Sequence, residues 1–171
     1  MSTSAYGPDV PYDILLRLRD ARRDLHATLT RETAKRERAF APAQLLHTLR
    51  AHVEATANCS GRERCSRLFV LTVLLYGALD WHFAGMGVDI EADVQLERIR
   101  QNQIHGGPAA DDRLSANEWR ARLQSQLVRL ERQLGVDELY GMRLVRLTAL
   151  AQAALEAASR QLRAPSHSAT G

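Results

Sequence analysis

The reactive side chains of this sequence are mostly guanidinium groups. Of its 23 basic residues only Lys35 is a lysine, and a guanidinium presents a planar fork of donors that matches the paired oxygens of a phosphate or carboxylate. The densest run is N-terminal, where Arg19, Arg23, Arg31, Lys35 and Arg38 fall on the non-core sides of a predicted helix and Arg36 stands where its apolar stripe fails. Such a ridge suffices for contact with a nucleic-acid backbone, RNA or single-stranded DNA, because phosphates are held by charge without any reading of bases. Asp24, Glu32 and Glu37 lie among these cations and are spaced to pair with some of them locally.

The proton-carrying groups are more scattered. Asp80 and His82 close a long apolar run, where their expected role is to hydrogen-bond neighbouring backbone at the edge of the core. His47 and His52 sit about 140° apart around a helix and do not share one metal from one face. The sequence holds no GxGxxG, GxxxxGK[ST], HExxH, ExxH or CxxC pattern, so neither a cofactor nor a metal is expected. Cys59 and Cys65 are too few for a disulfide framework and read as the reduced thiols of a cytoplasmic protein.

Arg100 and His105, in the run "RQNQIH", form an R-x4-H arrangement. It resembles the R-x(4–6)-H motif of a family of small helical ribonucleases. The resemblance covers residues 100–105 and implies that His105 handles protons while Arg100 steadies phosphate charge.

These groups need a scaffold, and composition says which kind. Leu and Ala carry most of the 45% apolar content and aromatics make up 5%, a bias toward helices over strands. The chain has 171 residues, which suits one domain with its own core. Its net charge of +3 hides an uneven distribution: Asp9 to Arg67 carries twelve basic and eight acidic residues, Asp80 to Ile104 two basic and five acidic.

Six helical segments are predicted. The first starts near Pro11, carries Ile14, Leu18, Ala21, Leu25 and Leu29 as one stripe, loses that stripe at Glu32 and Arg36, and ends before Pro42. A second spans about 43–57. Ser60 with Glu63 forms a capping box for a third. Its run from Leu68 to Leu79 is apolar all round and is expected at the centre of the fold. That run is too short for the roughly 30 Å of a bilayer core, which takes about 20 residues, and the N-terminus shows no secretory leader. A fourth helix is expected over about 90–104, a loop through "HGGPAADDR", a fifth helix capped by Ser115 and Glu118, and a last one from about 138 to 163 capped by Asp137.

The sequence therefore predicts an all-α, single-domain bundle of about five to six helices over residues 11–163, around a central apolar helix, with a flexible lead at 1–10 and a disordered tail at 164–171. In function it predicts a non-enzymatic subunit that packs with partner proteins and contacts nucleic-acid backbone through its arginines, as in a ribonucleoprotein or DNA-processing assembly. The alternatives are a protein-protein adapter that touches no nucleic acid, and a small ribonuclease using Arg100 and His105.

Overall fold

Helices begin where a side chain can satisfy amides that the first turn leaves open. In the computed structural model, which describes residues 9–164, eight helices are present: α1 Asp9–Thr30, α2 Thr33–Phe40, α3 Pro42–Ala55, α4 Gly61–His82, α5 Ile90–His105, α6 Pro108–Asp111, α7 Ala116–Arg132 and α8 Asp137–Arg163. No strand occurs among the described residues, and no helix there is long and apolar enough to cross a membrane. The expected tail at 164–171, Ala164 apart, and all but the last two residues of the lead at 1–10 lie outside the described residues.

Ser60 accepts from the Glu63 amide at 3.2 Å, and Ser115 and Glu118 form the full reciprocal box at the start of α7. Glu63 returns no bond to Ser60 and reaches toward Arg67 at 3.7 Å, so half of the expected α4 box is realised. Asp89 caps α5 by accepting from the Ala92 amide. The start of α8 differs from expectation: Val136 is its N-cap and Asp137 is already inside the first turn, where a carboxylate still complements the helix dipole.

Two of the eight helices exceed the expected number. The first expected helix is broken at Arg31 and Glu32, and the reason is packing. Phe40 is buried against α4, and an unbroken helix would carry it roughly 16 Å along the axis beyond Leu29 and off the core. Thr28 and Thr30 ease the break by turning their hydroxyls onto the carbonyls of Asp24 and His26, a bond that weakens a helix locally. The second addition is α6, one turn inside the expected 105–113 loop. Gly106 and Gly107 both take positive φ, 89° and 80°, and let the chain reverse out of α5 into that turn.

The expected central rod is also qualified. Leu71 to Leu79 of α4 is buried apart from half-exposed Leu74, but Val70 is 43% exposed. The most enclosed element is α8, whose residues 147–158 are all buried, with α1, α4, α5, α6 and α7 packed around it. Its alanines allow that approach from every side, while the larger side chains of α4 hold neighbours off and leave one edge uncovered.

Candidate nucleic-acid interface

The enclosed helix α8 carries a polar stripe that no composition count reveals. Thr148, Gln152 and Glu156 recur at four-residue steps and are all buried. Thr148 bonds the Leu144 carbonyl of its own helix. The other two join a network between helices. The Tyr76 hydroxyl of α4 donates to Gln152 Oε1 at 2.8 Å, Gln152 Nε2 donates to Glu156 Oε2 at 3.0 Å, and Arg98 Nη2 of α5 donates to Glu156 Oε1 at 2.8 Å. Arg98 Nη1 also donates to Asn102, and Asp111 of α6 lies 3.7 Å from Arg98 Nη2. Burial pushes the Tyr76 hydroxyl pKa up, which keeps it a neutral donor. Burial likewise raises the Asp111 carboxyl, against the pull of Arg98, Arg160 and Arg122. A buried charge pair tied into hydrogen bonds on both sides favours one register between two helices, although Arg98 Nε and Asp111 Oδ2 remain without a hydrogen-bond partner. Here it fixes α5 and the α6 turn on α8.

That registration builds a groove on the surface. Helices α5 and α7 each pack on α8, and between them lies a cavity of about 410 Å³. Arg100, Gln101 and His105 line one wall, Arg122, Gln126 and Arg129 the other, and Arg146 and Leu150 the floor. Glu97 is the groove's one carboxylate, and it is spoken for by Arg100, which it accepts from in bidentate fashion at 2.9 and 2.6 Å. Arg122, Arg129 and Arg146 make no ion pair among the described residues; Arg122 rests 5.7 Å from the Trp119 ring centroid. Next to them, burial first and then the fields of Arg146 and Arg129 lower the Arg143 pKa.

The N-terminal cations are arranged differently. Arg19, Arg23 and Arg36 border a shallow depression with Arg22 and His26, and Arg31, Lys35 and Arg38 do not line it. Arg23 pairs with Asp20 at 3.1 Å and Lys35 with Glu32 at 2.9 Å. Arg36 is half-buried with its guanidinium 5.0 Å from the Trp81 ring centroid. Arg19, Arg31 and Arg38 are exposed and make no ion pair among the described residues. Arg22, in their midst, grips Asp80 through two bonds of 2.7 and 2.8 Å and reaches Glu91 at 3.1 Å. Burial alone would lower the Arg22 pKa; the Asp80 bonds and the two carboxylate fields outweigh it and raise the value.

The remaining candidates of the sequence are placed as follows. Asp80 faces Arg22 and not backbone, while His82 Nε2 meets the Asp137 carbonyl at 3.2 Å, so the two form no proton-transfer pair. His47 is exposed on α3; His52 is half-buried with its pKa lowered by burial and then by Arg67. Among the described residues no three His, Cys, Asp or Glu side chains gather as a metal site. Cys59 and Cys65 are free thiols, and burial pushes the Cys65 pKa up, away from thiolate chemistry. Arg100 and His105 do share one groove, but Arg100 is held by Glu97.

Sequence reasoning missed Arg122, Gln126, Arg129 and Arg146. One signal for the first three was present: they stand at i, i+4 and i+7, a polar stripe beside the α7 seam of Leu123, Leu127 and Leu130. Nothing in the spacing says that α8 would bring Arg146 beneath it. Comparison with known proteins adds no family, since no family model, no curated protein and no solved structure matches the chain.

Proposed function

We propose that this chain is a non-enzymatic helical subunit that contacts nucleic-acid backbone through its arginine surface while packing against partner proteins. The observation that supports this reading is the α5–α7–α8 groove, which Arg122, Arg129 and Arg146 line together and where none of the three makes an ion pair among the described residues. Cations held together against their mutual repulsion are best satisfied by an anion that meets several at once, and a phosphodiester strand does so. The exposed Arg19, Arg31 and Arg38 extend the contact as a flank, with Arg23, Lys35 and Arg36 contributing less because each already has a partner. The partner-protein part rests on apolar side chains left in water on α5 and α8: Leu96 at 64%, Ile99 at 54% and Met142 at 42% exposure.

A gel shift with RNA and with single-stranded DNA tests the reading. Binding should weaken steeply from low to moderate salt, as counterion release requires. Absence of a shift with either polymer, or a shift indifferent to salt, overturns it and leaves the adapter.

The ribonuclease reading keeps one observation in its favour, the presence of Arg100 and His105 in the same groove. Its test is cleavage of RNA by purified protein, lost in His105→Ala. RNA recovered whole across a range of pH and added metals removes it.

A further inference from the structure

The edge that α4 leaves uncovered at Val70 opens onto a second cavity, of about 450 Å³, between α1, α4 and α8. Its lining is largely apolar: Ile14 and Leu155 are buried, Phe69 is half-buried, and Val70 and Leu162 are 43% and 50% exposed. Three guanidinium groups line it as well, those of Arg17, Arg62 and Arg163, and no carboxylate does. The nearest acid, Asp13, is shared, since Arg17 Nη1 and Arg163 Nη2 meet the same oxygen at 3.8 and 3.3 Å. Arg62 makes no ion pair among the described residues. Cationic and apolar parts adjoin, with the Arg17 guanidinium 5.5 Å from the Phe69 ring centroid.

A ligand that fits joins an anionic head to an apolar body, and the cavity is of small-ligand size. The walls narrow the choice further. Helices spend their backbone amides and carbonyls internally, so a peptide laid here would find few partners for its own. An alkyl chain has none to satisfy. We propose that the α1–α4–α8 cavity binds a medium-chain fatty acid, with its chain against Phe69, Leu155 and Leu162 and its carboxylate against Arg62, Arg17 and Arg163. The site shares no lining residue with the α5–α7–α8 groove and stands independently of the nucleic-acid reading.

Calorimetric titration of the full chain with octanoate, octan-1-ol and butanoate, all below micelle-forming concentrations, tests this. One octanoate should bind per chain, at least about tenfold tighter than butanoate, because each fully buried methylene counts for about fourfold. It should also bind about tenfold tighter than octan-1-ol, which lacks the charge. Arg62→Gln should lower octanoate affinity about threefold, as expected of an exposed cation, and leave octan-1-ol binding unchanged, which is the control for folding. Ser66→Trp, at an exposed lining position, should fill the cavity and abolish binding of both. Place is read at the thiols: octanoate should slow alkylation of Cys65, which lines the cavity, by N-ethylmaleimide, while Cys59, which does not, should react as before. Octanoate held no tighter than butanoate, or no tighter than octan-1-ol, overturns the inference. So does binding that survives Ser66→Trp or leaves Cys65 unprotected, and so does absence of octanoate binding, with the nucleic-acid reading untouched in each case.

Discussion

The α1–α2 ridge and the α5–α7–α8 groove are built from the same residue type and differ in who answers it. On the ridge Arg23 and Lys35 each find a carboxylate three residues away in the chain, and Arg36 finds the Trp81 ring of α4. In the groove Arg122, Arg129 and Arg146 come from two helices and line one cavity, whose one lining carboxylate is already bound to Arg100. Local sequence spacing settles the two ion pairs of the first arrangement; tertiary packing makes the second. An arginine count alone does not separate a solvated surface from a binding surface, whereas the partners of each guanidinium do.

The sharpest way to break that contrast is to cut one ion pair beneath each region. Glu156→Ala strands Arg98 in the interior that registers α5 on α8, and should cost about 3–5 kcal/mol of stability in urea denaturation. Glu32→Ala, which frees Lys35 on the ridge at a site where both side chains are more than half exposed, should stay within about 0.5 kcal/mol. Replacing the buried pair together, Arg98→Met with Glu156→Leu, should recover part of the loss, because the stranded guanidinium is gone while the buried Asp111 carboxyl loses its nearest cation. Similar costs for the two single cuts would mean that the buried network does not hold the groove wall.

Next in size is a change that loosens the ridge and spares the groove. A Cβ at Gly77 of α4 would stand 2.8 Å from Phe40 Cζ and 3.0 Å from Leu25 Cδ2, so Gly77→Ala must push α1 and α2 outward. Overpacking of this kind costs about 1–3 kcal/mol. RNA affinity should hardly change, since Phe40 and Leu25 lie under the ridge. A large loss of affinity with the fold intact would move the principal contact back to α1 and α2.

Charge reversal addresses the two surfaces directly. Arg129→Glu with Arg146→Glu should weaken nucleic-acid binding by about tenfold or more, and should flatten the log-log salt dependence by about two. The matched pair Arg31→Glu and Arg38→Glu should give the smaller effect on both measures. The reverse order would make the ridge the main interface and the groove its flank.

What the sequence made legible follows the range of the forces involved. Caps and apolar stripes act within a few residues, so the starts of α4 and α7 and the seams of α1, α7 and α8 could be read from Ser60, Ser115 and their leucines. The break after Thr30 could not, because it answers to Phe40 packing on Gly77, a contact between residues far apart in the chain. The enclosure of α8 was hidden for a related reason: alanine is a weak hydrophobic signal, yet its small size lets five helices close in. The ridge residues were readable as surface cations, while the Trp81 ring under Arg36 emerged only from the packed fold. The groove was least legible, since its members belong to separate helices and its glutamines carry no motif.

The smallest predicted effect concerns the start of α7, the wall that carries Arg122. Ser115 and Glu118 satisfy each other's amides there, and Ser115→Ala should cost about 1 kcal/mol. The Glu118 side of the box adds a pH signature. Bonds from the Ser115 amide and hydroxyl hold the Glu118 carboxyl below its ordinary 4.5 in the folded chain. A depressed carboxyl binds fewer protons folded than unfolded in the window between the two values, so its contribution is complete above the unfolded value and lost as pH falls through the folded one. The stability gap between the native chain and Glu118→Gln should therefore be complete above the ordinary carboxyl value and shrink as pH falls below it into acid. The N-terminus of α5 offers the contrast on the facing wall, where Asp89 caps with its carboxylate alone. Ser115→Ala should fray the α7 wall and lower RNA affinity slightly, with the salt dependence unchanged because no cation is removed. A gap for Glu118→Gln that stays constant into acid would show that the box does not stabilise this wall, and would leave the placement of Arg122 to the α7–α8 seam.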